Sequence, residues 1–291
     1  MTFEPLLGKN VLITGASRGL GAAIAGEMWN AGANLMLVAR SEKGLTDVIS
    51  GLPSRSSQVV HSFSVDLSDS IAVEKILESA HLYFDRLDVL VNNAAIQGPV
   101  GPSWENNWEV WNATLKINLE VPADLSRRCG AWMAEKKTKG KIVSISGGGA
   151  TGSRPNFSAY AVAKTGLVRF CEILADELAP YQIQVNCISP GIMATSILND
   201  VIAAGPERAG QKEYASALRA TQEGGTSMQR PAQLAVFLAS SASDGLTGKL
   251  ISAVWDPWEN FSAHIDELKG SDIYTLRRIV PKDRGLAWGD R

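Results

Sequence analysis

The sequence predicts an α/β fold in which about seven parallel strands form one doubly wound sheet with helices on both faces. Seven runs of apolar and β-branched residues are too short and too continuous for amphipathic helices, so we predict strands that are buried on both faces. These runs cover residues 11–13, 34–38, 59–65, 89–91, 141–145, 183–188 and 250–254. Helical patterns separate them, over residues 21–31, 71–83, 104–137, 159–178 and 231–239. Such alternation of strands and helices is typical of a parallel sheet.

Length and composition indicate a globular protein and exclude several functions. The chain has 291 residues, of which 45% are hydrophobic and 20% are charged, which is enough to bury a large core without a metal or a disulfide. The net charge of −2 provides no basic field for a nucleic acid. No apolar run approaches the roughly 20 residues that a membrane span needs. We therefore expect a small-molecule substrate, and neither a nucleic acid nor a membrane as a partner.

The cysteines and histidines point to a reduced protein without a metal. Cys129, Cys171 and Cys187 are far apart and form no C-x-x-C pair, and the three histidines are scattered. The amino terminus lacks the basic segment and the apolar core of a signal peptide. We expect a cytoplasmic protein with no metal site.

A glycine-rich turn lies between the first strand and the first helix. It contains Gly15, Ser17, Arg18, Gly19, Leu20 and Gly21. Glycine lets the backbone turn sharply and approach a pyrophosphate without a Cβ in the way, and the helix N-terminus then offers free N–H groups to the anion. In this position the turn predicts a dinucleotide site; the alternative is a tight turn without a ligand.

The end of the second strand indicates which dinucleotide binds. Sites for NAD usually present an acidic residue there to the ribose 2′-hydroxyl, whereas this chain has Arg40 and Ser41 after Ala39. The guanidinium of Arg40 can pair with a 2′-phosphate, and Arg18 in the glycine turn can reach the same group. The two arginines favour NADP(H), unless both are ordinary solvated surface residues.

Five motifs in order give the chain a recognisable pattern. They are Thr14-Gly15-Ala16-Ser17-Arg18-Gly19-Leu20-Gly21, Asn92-Asn93-Ala94-Ala95, Asn118, Tyr160-Ala161-Val162-Ala163-Lys164, and Pro190-Gly191-Ile192-Met193-Ala194-Thr195. In this order and at these intervals, residues 7–255 resemble the short-chain dehydrogenase/reductase superfamily. The resemblance implies a Rossmann fold, an NAD(P)-dependent oxidoreductase and a homodimer or homotetramer.

The resemblance also implies where the cofactor contacts the chain. Asp66 and Leu67 are expected near the adenine. The stretch Asn93, Ala94 and Ala95 is expected along the cofactor after the fourth strand. The nicotinamide carboxamide is expected at residues 190–195, through Pro190, Gly191, Met193 and Thr195.

Tyr160 and Lys164 have the spacing of a proton-transfer pair. A carbonyl that receives a hydride needs a proton, and a tyrosine with a pKa near 10 donates poorly near neutrality. A lysine four residues later on a helix lies on the same face and stabilises the phenolate. In the family the lysine also binds the nicotinamide ribose, and Asn118 resembles the asparagine that anchors a water for proton relay. The alternative is a half-buried tyrosine beside a surface lysine.

One position departs from the family pattern. The family usually has a serine thirteen residues before the tyrosine, which polarises the carbonyl, and this chain has Gly147 there, after Ser146. Losing one such donor typically costs about 10²–10³ in rate. Three outcomes stay open. Ser146 reaches the substrate after a shift of the glycine run. A donor from Thr151, Ser153 or a backbone N–H of residues 147–149 replaces the serine, or else catalysis is weak or altered. The glycine run is equally consistent with a loose turn after the fifth strand.

Residues 196–230 are expected to form a helical substrate lid with joints at Gly205-Pro206 and Gly224-Gly225. The lid is mixed in polarity, which favours a polar substrate. Trp255 and Trp258 suggest a carbohydrate derivative, because tryptophan faces suit sugar rings; packing in the core or at an interface is the alternative. Trp104, Trp108 and Trp111 are expected in the core or at an interface.

We divide the chain into a domain of residues 1–255 and a C-terminal extension of residues 256–291, which is expected to wrap its own or a neighbouring subunit. The hypothesis that the motifs favour is an NADP(H)-dependent oxidoreductase that interconverts a carbonyl and a secondary alcohol. The alternatives are a catalytically weakened NADP(H)-binding protein, and an isomerase or dehydratase that uses transient oxidation.

Overall fold

A computed structural model of the chain describes residues 4–288. Seven strands form one sheet: β1 (Asn10–Thr14), β2 (Asn34–Ala39), β3 (Val60–Ser64), β4 (Val89–Asn92), β5 (Lys141–Ile145), β6 (Gln184–Ser189) and β7 (Leu250–Ser252). Their spatial order is β3-β2-β1-β4-β5-β6-β7, and every pair is parallel. The predicted α/β fold is therefore confirmed. The order of strands reverses between β1 and β4, which is where sheets of this kind bind ligands.

Helices cover both faces of the sheet. They are α1 (Gly19–Asn30), α2 (Glu42–Ser50), α3 (Ala72–Tyr83), α4 (Trp108–Leu115), α5 (Val121–Glu135), α6 (Ser158–Leu178), α7 (Ser196–Ala209), α8 (Gln211–Glu223), α9 (Gln229–Ala239) and α10 (Ile265–Leu268). Successive residues of β1 pack against helices on opposite faces of the sheet, because side chains along a strand point alternately to the two faces. Val11 and Ile13 pack with α1 and α9, whereas Leu12 packs with α3, α5 and α6.

The predicted long helix over residues 104–137 is wrong, because the structure breaks it into several pieces. A 3₁₀ turn (Ser103–Glu105) and α4 are followed by a π-helical turn at Lys116–Glu120, which leads into α5. Pro122 lies in the first turn of α5 and has no N–H, so a regular α-helical ladder cannot run through this point. Single π turns of this kind interrupt α-helices frequently at functional sites.

Helix α2 was not predicted from the sequence. The hydroxyl of Ser41 accepts a hydrogen bond of 3.0 Å from the backbone N–H of Gly44 and caps this helix. Leu45 is buried, and Val48 and Ile49 pack against the same core. These three residues have the i, i+3, i+4 spacing of an amphipathic helix, so the pattern was present in the sequence and was overlooked.

The segment after β7 wraps its own subunit. Trp258 and Phe261 are buried in the same core as α1 and α9. The chain then passes along β7, where the N–H of Leu250 donates to the carbonyl of Tyr274 at 2.8 Å. It continues to α6, where Glu172 accepts from the N–H of Leu276 at 2.6 Å. The segment therefore covers the edge strand of the sheet, which would otherwise present unpaired backbone groups.

The tryptophans have different environments. Trp258 is 7% exposed and donates its indole N–H to the carbonyl of Ala253 at 3.2 Å, whereas Trp255 is 85% exposed. Trp104 and Trp108 are exposed, so a place in the core is wrong for both, and Trp108 stacks on Trp111 with 4.6 Å between ring centroids.

Within residues 4–288, no helix is both long and apolar enough to cross a membrane. In the same part of the chain, no group of three or more His, Cys, Asp or Glu residues has the arrangement of a metal site.

Candidate active site

A cleft of about 1540 Å³ opens at the carboxyl ends of the strands, beside the point where strand order reverses. Every residue predicted to bind the cofactor lines this cleft, together with Ser146, Tyr160 and Lys164. Asn118 lies behind the wall and is fully buried. The size of the cleft suits a dinucleotide with a small substrate beside it.

The glycine turn forms a close backbone cradle at one end of the cleft. Gly15 and Gly19 have φ of +66° and +56°, a region that glycine adopts without strain. A Cβ on Gly21 would lie 2.1 Å from the carbonyl oxygen of Gly15 and 2.5 Å from the side-chain nitrogen of Asn93. Helix α1 begins at Gly19 with no side-chain cap and no acidic residue in its first turn. The cradle therefore fits the pyrophosphate of a dinucleotide.

Asn93 and Thr14 connect the two strands that flank the reversal point. The side chain of Asn93 donates to the carbonyls of Thr14 and Gly15 at 3.0 and 3.1 Å. The hydroxyl of Thr14 accepts from the N–H groups of Asn93 and Ala94 at 3.1 and 3.2 Å. These bonds hold the glycine turn against the end of β4.

Arg18, Arg40 and Asp66 line the end of the cleft beside the glycine turn, where the resemblance predicts the adenosine. Both arginines are exposed, and a nitrogen of Arg40 lies 4.0 Å from a carboxylate oxygen of Asp66. The backbone N–H of Ser68 donates to Asp66 at 2.8 Å. Hydrogen bonds from Ser68 are the largest cause of the lowered pKa of Asp66, and the nearby Arg40 adds to the effect. The Asp66 carboxylate is thus already bonded on the side facing Ser68.

Tyr160 and Lys164 lie one turn apart on α6, at the other end of the cleft. The Lys164 ammonium lies 5.7 Å from the centre of the Tyr160 ring and donates to the carbonyl of Ile145 at 2.8 Å. Burial lowers the pKa of Lys164 to about 8. Burial raises the pKa of Tyr160, and the guanidinium of Arg154 acts in the opposite direction. The pair therefore has a lysine that can be cationic near neutrality within reach of a buried phenol.

Asn118 lies in the π-helical turn, and its side chain is bonded to the backbone. Its amide oxygen accepts from the N–H of Ile96 at 2.9 Å, and its amide nitrogen donates to the carbonyl of Ile96 at 2.8 Å. In a regular α-helix the Asn118 carbonyl would accept from residue 122, but Pro122 has no N–H. The side-chain amide of Asn118 is thus engaged by Ile96 through both its oxygen and its nitrogen.

Gly147 and Ser146 face different surroundings. A Cβ on Gly147 would lie 2.4 Å from the Tyr160 hydroxyl, so this position points directly at the phenol. The Ser146 side chain is 1% exposed, and its hydroxyl has no hydrogen-bond partner among residues 4–288. The backbone N–H of Ser146 donates to the carbonyl of Ile188 at 2.8 Å. Thr151 and Ser153 line the cleft with the glycine run.

Arg154 is the charged residue of the site that sequence analysis missed. Its guanidinium lies 4.0 Å from the centre of the Phe157 ring and 5.9 Å from that of Tyr160. It donates to one carboxylate oxygen of Glu213 on α8 at 2.9 and 3.2 Å. In the sequence, Arg154 is a single arginine in a loop, and nothing in its spacing distinguishes it from a surface residue.

Helices α7 and α8 cover the end of the cleft that contains Tyr160. Leu198, Val201 and Ala217 of these helices form a small core with Phe157, which is fully buried. The predicted joints have left-handed glycines, at Gly205 with φ of +74° and at Gly224 with φ of +87°. The polar side chains of Asn199, Ser216 and Thr221 line the cleft from this side.

The sequence matches the family described as short chain dehydrogenase over residues 9–204, and the chain belongs to this family. It is 32% identical over 251 residues to the 3-oxoacyl-[acyl-carrier-protein] reductase FabG of Escherichia coli strain K12, covering 86% of this chain and 96% of that protein. Its fold superimposes on levodione reductase with a TM-score of 0.77 and 26% identity, covering 89% and 99% of the two chains. YwfH, an NADPH-dependent reductase involved in bacilysin biosynthesis, gives a TM-score of 0.75 and 26% identity over 84% and 96%.

Family membership defines an oxidoreductase that uses a nicotinamide dinucleotide and a small-molecule substrate. The cradle at Gly15, Gly19 and Gly21 fits that dinucleotide, since added Cβ atoms at Gly15 and Gly21 would lie under 3.0 Å from neighbouring atoms.

Proposed function

We propose that the protein is an NADP(H)-dependent oxidoreductase that interconverts a carbonyl and a secondary alcohol on a polar substrate. The observation that carries the proposal is the position of Tyr160 and Lys164, one helical turn apart, in the same cleft as the glycine cradle. A carbohydrate derivative is our substrate hypothesis. It rests on the polar lid side chains, because neither Trp255 nor Trp258 lines the cleft.

The chemistry divides between the cofactor and the chain. When bound, the nicotinamide supplies or accepts the hydride. In the reducing direction, the Tyr160 hydroxyl gives its proton to the carbonyl oxygen of the substrate, and in the oxidising direction the phenolate takes it back. The Lys164 ammonium stabilises that phenolate, and Asn118 is the residue that would anchor a relay water.

The preference for NADP(H) rests on charge. Arg18 and Arg40 both line the adenosine end of the cleft and are exposed. Guanidinium groups bind phosphate through two parallel N–H donors. The end of β2 carries Arg40 and Ser41 and no acidic side chain that would favour an unphosphorylated ribose. Asp66, which follows β3, is bonded to Ser68 and lies near Arg40.

Gly147 occupies the place of the family's serine in this proposal, so another group must polarise the carbonyl. Ser146, Thr151 and Ser153 have hydroxyls along the cleft, and Gly148 contributes a backbone N–H in the same run. The missing hydroxyl also favours a second candidate, a catalytically weakened NADP(H)-binding protein. The third candidate function is that of an isomerase or dehydratase that uses transient oxidation.

A panel of aldehydes, ketones and sugar-derived alcohols separates these candidates. The oxidoreductase predicts stoichiometric loss of NADPH absorbance with at least one carbonyl, or its gain from NADP⁺ with the alcohol. Tight NADPH binding without turnover on the whole panel would favour the binding protein, and product formation without net change in NADPH would favour the isomerase.

The cofactor preference has its own test. The ratio of kcat/KM for NADPH to that for NADH should exceed 1 and should fall in Arg40→Ala by about 10-fold or more, the value of a lost charge-assisted pair. A preference for NADH that survives Arg40→Ala would contradict the assignment.

We also propose a homodimer or homotetramer in the cytoplasm. Trp104 and Trp108 near α4, and Val162 and Ile173 on α6, are exposed apolar side chains that support self-association. Cys129, Cys171 and Cys187 are buried free thiols, as expected in a reducing compartment. The division into residues 1–255 and an extension of residues 256–291 remains part of this proposal.

A further inference from the structure

Arg154 brings a positive charge to the substrate end of the cleft. Its side chain is only 16% exposed and lines the same cleft as Tyr160. The guanidinium lies against the faces of Phe157 and Tyr160, at 4.0 and 5.9 Å from their ring centres. A charged group held in this way, next to the proton donor, is positioned by aromatic surfaces rather than dispersed in solvent.

Glu213 accepts hydrogen bonds from only part of the Arg154 guanidinium. Arginine has five N–H donors, and Arg154 makes two hydrogen bonds, both to the same carboxylate oxygen of Glu213. Among residues 4–288 the Arg154 side chain has no other hydrogen-bond partner, so three donors remain for a ligand. Glu213 lies on α8 of the lid and is more exposed than Arg154, at 36%.

This end of the cleft carries a net positive charge. The charged side chains that line the cleft away from the adenosine end are Lys164, Arg154 and Glu213, that is, two cations and one carboxylate. The net positive charge of these three side chains favours binding of an anion at this end of the cleft.

A purely structural role, in which Arg154 only fastens the lid, is less consistent with its position. The lid has a separate fastening at Arg208, which donates to the carbonyl of Val100 at 3.0 Å and lies 3.6 Å from Glu105. Arg208 does not line the cleft. Arg154 contacts α8 of the lid and Arg208 belongs to α7, but only Arg154 lines the cleft beside Tyr160.

We propose that Arg154 binds a carboxylate of the substrate, so that the substrate is an oxo acid in one direction and the corresponding hydroxy acid in the other. This inference rests on the proposed oxidoreductase function and narrows its polar substrate to an acid. The planar guanidinium matches a carboxylate through paired N–H donors. Glu213 shares the guanidinium with the substrate and holds it toward the cleft when no acid is bound.

The test compares oxo acids of three to six carbons with their methyl esters, using NADPH. Wild type should turn over at least one acid with kcat/KM about 10- to 100-fold above its ester, which is the range of a charge-assisted hydrogen-bonded pair. Arg154→Gln should bring that ratio close to 1 by lowering the value for the acid alone. Glu213→Gln should lower KM for the acid, because the competing carboxylate is gone.

Arg208→Gln is the matched control, since it removes a lid arginine outside the cleft. Its acid-to-ester ratio should equal that of wild type. An equal loss on acid and ester in Arg154→Gln would overturn the proposal and indicate that Arg154 acts on the reacting carbonyl or on the fold. Equal turnover of acid and ester by wild type would also overturn it, while leaving the oxidoreductase function in place.

A binding measurement keeps the two proposals distinguishable. Hydroxy acids and their methyl esters are titrated into the NADPH-loaded protein, and cofactor fluorescence reports binding without turnover. Acid-selective binding that Arg154→Gln removes, combined with no turnover of any compound, would support the carboxylate site and contradict the oxidoreductase function. Binding that does not discriminate acid from ester would overturn the carboxylate site.

Discussion

Introducing a side chain at Gly147 should reduce catalysis, even when that side chain is the serine typical of the family. The backbone at Gly147 points at the phenol of Tyr160, and an added Cβ would lie 2.4 Å from the hydroxyl oxygen and 2.9 Å from a ring carbon. Tyr160 is 7% exposed, so its ring is held by packing on several sides. The chain therefore places its proton donor in space that a Cβ at residue 147 would occupy.

The size of the effect follows from these distances. Ordinary contact begins near 3.4 Å, so the hydroxyl must move by roughly 1 Å to accept a Cβ. A displacement of about 1 Å of a reacting group costs on the order of 10²-fold in rate. We expect Gly147→Ala and Gly147→Ser to lower kcat by about this factor, with little change in NADPH affinity.

Single-turnover reduction with bound NADPH measures the step directly, because product release does not enter. Gly148→Ala is the matched control: its added Cβ would meet no atom closer than 3.7 Å, and it should retain wild-type kcat. A Gly147→Ser variant whose kcat exceeds that of wild type would contradict this expectation, since it would show that Tyr160 moves without penalty and that the position still accepts a catalytic serine.

Three further predictions concern stability and cofactor binding. Burial lowers the pKa of Lys164 from 10.5 to about 8, so the folded state disfavours the charged lysine. The free energy of unfolding of wild type therefore rises as pH increases from about 8 to 10.5. In denaturant titrations, the stability of Lys164→Met relative to wild type should be greater at pH 7 than at pH 10, by on the order of 3 kcal/mol. Gly21→Ala should abolish NADPH binding in calorimetry, because its Cβ would lie 2.1 Å from the carbonyl oxygen of Gly15. Trp258→Ala should lower the free energy of unfolding by about 3–5 kcal/mol, since this side chain is 7% exposed in the core; a loss under 1 kcal/mol would show that the C-terminal segment does not depend on this contact.

The sheet was predictable because its strands are buried on both faces. Such strands appear in the sequence as continuous apolar runs, for example Val11, Leu12 and Ile13. Each of the seven predicted runs overlaps one observed strand. The glycine cradle was predictable for a related reason: only residues without a Cβ fit where the backbone approaches itself or a ligand.

The interruption after α4 could not be read from apolar periodicity. Residues on both sides of Pro122 continue a helical pattern, and proline is common in the first turn of a helix. Asn118 in the π turn is bonded to Ile96, a contact over 22 residues that no local pattern records.

Arg154 could not be predicted because its role depends on the lid. Its partner Glu213 is 59 residues away in the chain, and the aromatic rings that hold it come from the start of α6. The C-terminal extension was recognisable as extra length. Its path along β7 to Glu172 depends on hydrogen bonds between residues far apart in the chain, one between backbone groups and one to the Glu172 carboxylate, which sequence composition does not encode.

Transfer of deuterium from the cofactor to the substrate tests directly whether this cleft catalyses NADP(H)-dependent reduction. NADPH labelled with deuterium at the reactive nicotinamide carbon, on either face, is incubated with the protein and a carbonyl that it reduces, and the product is examined by NMR. We expect deuterium at the carbinol carbon of the product for one of the two labelled forms of NADPH. The rate of reduction should fall by about 10²-fold or more in Tyr160→Phe, while the affinity for NADPH is retained. A product without deuterium from either form, or an undiminished rate in Tyr160→Phe, would contradict the assignment of this cleft as an NADP(H)-dependent oxidoreductase site.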